Sequence, residues 1–127
     1  MKLLLDTNRL SDALAEDDEV LSKLELAEAI HVPVIALGEI RSGFQGGSRA
    51  AKNEMRLQWF LAQDGISTLS VDGAVSHCYA QIHRALRQQG KPIPTNDLWI
   101  AAIAIENGLA LYTRDDHFRL VPGLAYL

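Results

Sequence analysis

The stretch TNDLWIAAIAIENGLALYT, residues 95–113, joins two elements of different periodicity. A helix is expected to start near Thr95 or Asn96, with Asp97 in the first turn, where the helix macrodipole favours an acid. It runs through the almost wholly apolar Leu98 to Ile105 and stops at Asn107-Gly108. A helix apolar on nearly every side is a central, buried one. Leu109 to Thr113 then reads as a strand, so this half of the molecule is a covered sheet and not a helical bundle.

Working outward, Lys2 to Leu5 is a short apolar run that reads as a buried strand. Asp6-Thr7-Asn8 supplies turn and N-cap chemistry ahead of Leu10 and Leu14 at helical spacing. Val20, Leu21, Leu24, Leu26 and Ala27 continue that spacing, and the β-branched run Ile30 to Ile35 reads as a second strand despite Pro33. A helix over Leu37 to Phe44 is stopped by Gly46-Gly47, and Ser48 is expected to cap a helix through Met55, Trp59 and Phe60.

Ile66 to Val71 is a third strand, and Val75, Cys78, Tyr79, Ile82, Ala85 and Leu86 form the apolar stripe of a helix ending at Gly90. After the fourth strand, Arg114 to Phe118 reads as a turn or short helix, and Leu124 to Leu127 as a last edge strand. Strands alternating with helices imply an α/β fold: a three-layer α/β/α sandwich with a central, mainly parallel sheet. Ligands of such sheets bind beyond the carboxyl ends of the strands.

Composition narrows the function. The 127 residues are one domain's worth, read as a single domain over 1–127, and the 48% hydrophobic and 22% charged content is ordinary for a globular chain. The lone Cys78 allows neither an internal disulfide nor a cysteine-based zinc site and suits a reducing cytoplasm. Met1 to Leu5 is broken at once by Asp6, far short of an export signal or a membrane span. A net charge of −4 argues against holding nucleic acid by bulk positive charge. Cations bound among clustered acids would offset that charge, so RNA is not excluded as a substrate.

Four acids occupy the right places for such a cluster. Asp6 follows the first strand and Asp115 the fourth, Asp97 opens the buried helix, and Glu39 lies early in the helix after the second strand. Each alone reads as well as a cap. Together they would repel and raise one another's pKa values, so the set points to a bound cation. Oxygen ligands favour Mg²⁺ or Mn²⁺ over zinc, and His31, His77, His83 and His117 share no ligand spacing. A phosphodiester is the natural substrate and metal-activated water the nucleophile; RNA cut that way keeps a 5′ phosphate and a 3′ hydroxyl. Arg41, Arg49, Lys52 and Arg56 read either as grips for RNA phosphates or as a solvated helix face.

Four blocks carry a family likeness: Leu4-Leu5-Asp6-Thr7-Asn8; Glu39 with Gly43; Asn96-Asp97-Leu98-Trp99-Ile100-Ala101-Ala102; and Tyr112-Thr113-Arg114-Asp115-Asp116-His117-Phe118. In this order the chain resembles the PIN-domain family, and within it the VapC-type toxins of bacterial and archaeal toxin–antitoxin pairs. The resemblance implies a Mg²⁺- or Mn²⁺-dependent endoribonuclease with Asp6, Glu39, Asp97 and Asp115 as metal-site acids and Asp116 competing for the fourth place. It also implies that Thr7 and Asn8 orient Asp6, and that Thr113 contacts a carboxylate or metal-bound water. A homodimer, inhibition by a cognate VapB-type antitoxin and an RNA substrate, transfer RNA among the candidates, follow from the same likeness. Arg9 departs from it, standing where the family commonly has an apolar residue.

Two rival readings need only the fold. One is a phosphoryl-transfer or receiver-like domain, disfavoured because position 8 is Asn and no lysine follows the fourth strand in a place to bind phosphate. The other is a catalytically silent binding module whose acids serve only as caps.

Overall fold

A computed structural model describes residues 1–127. The element order is β1 (Lys2–Leu5), α1 (Thr7–Leu14), α2 (Asp18–Glu25), β2 (Ala29–Pro33), α3 (Val34–Gln45), α4 (Ala50–Leu61), β3 (Ile66–Leu69), α5 (Gly73–Gln88), α6 (Thr95–Glu106) and β4 (Ala110–Tyr112). A 3₁₀ helix, Asp116–Leu120, follows. The four strands form one parallel sheet in the order β3-β2-β1-β4.

Alternation along β1 divides the core into two layers. Leu3 and Leu5 face one side, packing with Leu10, Val20, Leu37, Leu57 and Phe60 from α1 to α4. Leu4 faces the other, with Val75, Ile82 and Leu86 of α5, the α6 residues and Phe118 of the 3₁₀ helix. On α6, Leu98 and every residue from Ile100 to Ala104 are buried. Leu98, Ile100 and Ile103 so placed contribute roughly 1.5–3 kcal/mol of transfer free energy each. Gly108, at φ 65, ends α6: the Leu109 amide reaches back to the Ala104 carbonyl at 2.9 Å, a turn that a left-handed residue permits. This is the three-layer α/β/α sandwich that the alternation of elements implies.

Strand order places the site. From β1 the chain moves outward to β2 and β3, then returns to put β4 on β1's other side. Order therefore reverses between β1 and β4, and the crevice at the carboxyl ends of these strands is where such sheets bind ligands.

Local readings differ from the structure at several points. The helical spacing expected to run on to Ala27 is broken between Leu14 and Asp18. Glu16 adopts φ 60 there, and Asp17 caps a separate α2 by accepting the Val20 amide. β2 ends at Pro33, the last residue paired to β3, so Val34 and Ile35 enter α3 instead of extending the strand. Ser48 caps nothing: α4 starts at Ala50 behind Arg49, without a side-chain cap. Leu124 to Leu127 forms a single parallel bridge, Tyr126 to Leu111, in place of a strand. No helix is long and apolar enough to cross a membrane.

Candidate active site

At the carboxyl edge of β1 and β4 lies a cavity of about 520 Å³ lined by Asp6, Thr7, Asn8, Glu39, Pro94, Thr95, Asn96, Asp97, Ile100, Asp115 and His117. All four acids singled out above line it, delivered by four separate segments. Pro94 and Ile100 are its only apolar members, and it contains no lysine or arginine. A phosphoaspartate site that needs a lysine has none here.

Asp6 is the deepest acid, only 4% exposed. It is the N-cap of α1, accepting the Arg9 amide at 2.8 Å on Oδ1, and its Oδ2 accepts from the Thr113 hydroxyl at the end of β4. The β1–β4 pairing of Leu5 with Tyr112 brings these residues together from opposite ends of the chain. Burial pushes the Asp6 pKa up; the Thr113 and Arg9 hydrogen bonds and the Arg9 charge oppose this, and the Asp115 charge adds to it.

The Arg9 guanidinium lies 4.5 Å from the Tyr112 ring centroid and 3.4 Å from an Asp12 carboxylate oxygen. It is tucked beneath the site between α1 and β4. A cation–aromatic contact thus accommodates the Arg9 charge against Tyr112.

Asp97 is the third residue of α6, yet its carboxylate makes no hydrogen bond to the amides of its own helix. Its partner is His117, whose Nδ1 lies 3.3 Å from Asp97 Oδ2 and 3.2 Å from Asp115 Oδ1. Burial raises the Asp97 pKa, His117 opposes the rise, and the charges of Asp115 and Glu39 reinforce it. Asp115 accepts the His117 amide at 3.0 Å, and its own amide donates to Thr113 Oγ1 at 2.9 Å. Thr113 is thereby fastened to two of the acids.

Three sequence expectations are refined by this geometry. Thr7 does not orient Asp6: its hydroxyl donates to Glu39 Oε1 at 2.7 Å, because Asp6's oxygens are already engaged by Arg9 and Thr113. Asn8 lines the cavity without hydrogen-bonding to Asp6. Asp116 lies outside the cavity, 87% exposed and ion-paired with Arg119 at 3.0 Å, and Asp115 is the acid that turns inward.

His117 is the residue that sequence reasoning missed. Asp115-Asp116-His117 holds the available signal, since Asp115 caps the 3₁₀ turn by accepting the His117 amide and so lies beside that residue. Among the basic candidates, Arg41 is already engaged by Glu54 through two hydrogen bonds of 2.9 Å.

The donor set suits a hard divalent cation. Ligand atoms of Asp97, Asp115 and His117 lie within 4.8 Å of one another. Two half-buried or buried carboxylates have their charge disfavoured by burial and by neighbouring acids, only partly offset by Arg9 behind Asp6 and by His117 beside Asp97. Such a constellation fits a cation bound through oxygen.

The PIN domain family model matches residues 3–124. Ribonuclease VapC4 of Mycobacterium tuberculosis is 34% identical over 91 residues, covering 72% of this chain and 70% of that protein. Toxin FitB of Neisseria gonorrhoeae is 31% identical over 121 residues, covering 89% and 87%. The crystal structure of VapBC2 from Rickettsia felis, bound to a DNA fragment from their promoter, superposes with a TM-score of 0.92 at 27% identity, over 100% of this chain and 98% of that one. A match over almost the whole length, a shared three-layer fold and relatives that carry the VapC and toxin names together place this chain in the PIN-domain family, among its VapC-type members.

Proposed function

We propose that this chain is the toxin of a toxin–antitoxin pair, a Mg²⁺- or Mn²⁺-dependent endoribonuclease that hydrolyses RNA phosphodiesters. The observation that carries the reading is the convergence of Asp6, Glu39, Asp97 and Asp115, from four segments, on one polar cavity at the reversal point of the sheet. Asp6, Asp97, Asp115 and Glu39 would hold the ion. When bound, it supplies positive charge that polarises the phosphodiester and acidifies water. Water adds to phosphorus and the P–O3′ bond breaks, leaving a 5′ phosphate and a 3′ hydroxyl.

The remaining cavity residues act on the acids or the substrate. Thr113 fixes Asp6 and the backbone of Asp115, and Thr7 fixes Glu39. Asn8 and the first turn of α6, Thr95 to Asp97, line the wall against which the RNA backbone would lie. The names of the relatives support RNA as substrate, with transfer RNA the class to test first. The VapBC2 complex supports a VapB-type antitoxin as partner. We further propose a single domain over 1–127, a homodimer and a cytoplasmic location.

The test is cleavage of transfer RNA by purified, antitoxin-free protein in Mg²⁺ or Mn²⁺, with and without EDTA, beside Asp97→Asn. Cleavage that stops on chelation and on substitution is expected. Cleavage that survives either one contradicts the mechanism.

A further inference from the structure

The imidazole of His117 stands between Asp97 and Asp115, and the hydrolytic scheme above makes no use of it. We propose that His117 Nδ1 is a ligand of the cation held by Asp97 and Asp115, and that this nitrogen donor tunes the site toward Mn²⁺ over Mg²⁺. The inference rests on the metal-dependent reading of the site and adds to it a ligand and a selectivity.

The distances carry the argument. Nδ1 lies 3.2 Å from Asp115 Oδ1 and 3.3 Å from Asp97 Oδ2. Adjacent ligands of an octahedral ion with bonds of about 2.1 Å are about 3 Å apart, the bond length multiplied by the square root of two. A single N–H shared between two carboxylates at 3.2 and 3.3 Å makes contacts at the long end of the hydrogen-bond range to both. A shared cation satisfies all three atoms at once.

The ring is rooted for this task. The His117 amide donates to Asp115 Oδ1 at 3.0 Å, tying backbone and candidate ligand in one turn. Phe118, fully buried, anchors that turn to the α5–α6 layer. The His117 side chain itself is 52% exposed, so it can adjust to an ion without disturbing the core. Selectivity follows from donor chemistry: Mg²⁺ takes oxygen and keeps its waters, while Mn²⁺ accepts imidazole more readily.

The experiment uses the full chain loaded with Mn²⁺. Pulsed electron paramagnetic resonance should show nitrogen modulation from a directly bound imidazole, and His117→Gln and His117→Asp should abolish it. Calorimetric titration with Mn²⁺ and with Mg²⁺ should show the Mn²⁺-to-Mg²⁺ affinity ratio falling about tenfold in His117→Gln. His117→Asp, which restores an oxygen donor, should recover Mg²⁺ binding and leave the ratio low.

Thermal unfolding in EDTA checks that both variants, at this exposed position, fold as the parent does. Mn²⁺ that Asp97→Asn displaces but that shows no nitrogen modulation overturns the His117 assignment alone. So does an unchanged affinity ratio in His117→Gln. Absent Mn²⁺ binding, or binding indifferent to Asp97→Asn, overturns the metal site itself and this inference with it.

Discussion

The floor and the rim of the cavity are built differently. On the floor, Asp6 is buried and held by the ends of two paired strands, with Thr113 donating to its carboxylate and α1 capping against it. On the rim, Glu39 projects from α3, exposed and held by Thr7, and His117 from a 3₁₀ turn, 52% exposed beside Asp97 and Asp115. The floor owes its geometry to sheet register, which cannot shift by one residue without drawing Lys2 or Asp6 into the place of a buried leucine. The rim depends on how helices lean on that sheet. A rigid acid at depth and adjustable ligands above it are what a site needs if it must hold an ion while RNA enters and leaves.

Substitutions should separate the two regions. The largest effect is expected from Asp6→Asn, with RNA cleavage falling more than about 100-fold, and Glu39→Gln should cost less. Equal losses would erase the distinction. Thr113→Val removes the donor from a buried carboxylate at nearly constant volume. It should lower activity by about 10–100-fold and destabilise the fold by about 1–3 kcal/mol. Its rim counterpart, Thr7→Val, should cost only about two- to tenfold in activity, in line with about 0.5–1.5 kcal/mol for a solvent-exposed hydrogen bond. Cleavage rates and urea unfolding of both variants measure the contrast.

Stability without metal should show the opposite sign from activity. The pKa values of Asp6 and Asp97 are raised in the folded protein, so the native state binds protons more tightly than the unfolded chain above the ordinary value of 3.8. Their contribution is therefore fully present at low pH and is lost as pH rises through the raised folded values. In EDTA, the part of Tm owed to these groups should fall as pH rises above the ordinary carboxylate value of 3.8, and Asp97→Asn should flatten that fall and raise Tm at pH 7. A Tm lowered by Asp97→Asn at pH 7 would mean that its charge stabilises the metal-free fold. The smallest effect is assigned to Asp116→Asn: the residue is exposed and outside the cavity, so activity should stay within about twofold.

How far each region could be read before folding follows the same division. β1, α5, α6 and β4 announce themselves because local periodicity and burial agree there, and Asp6, Asp97 and Asp115 come with them as the residues at their ends. Pairings across the fold do not announce themselves. Thr7 meets Glu39 across 32 positions, and Thr113 meets Asp6 across 107, so the first was attached to the wrong acid and the second lacked a named partner. Linear spacing among the histidines carries no signal for His117, because its partners are carboxylates, one of them on α6. At Pro33, β-branched Val34 and Ile35 favoured a longer strand, but the β3 ladder ends there and the chain turns into α3.

That the four acids form one cation site is the claim on which the rest depends, and Mn²⁺ titration calorimetry of the metal-free protein beside Asp6→Asn and Asp97→Asn tests it most directly. Saturable binding is expected in the parent, with a gain in unfolding free energy of about 2.7 kcal/mol at a free Mn²⁺ concentration 100 times Kd. Both the heat and the stabilisation should be lost in each variant. Undiminished binding in either would show that the ion sits elsewhere and that the convergence of Asp6 and Asp97 serves another purpose.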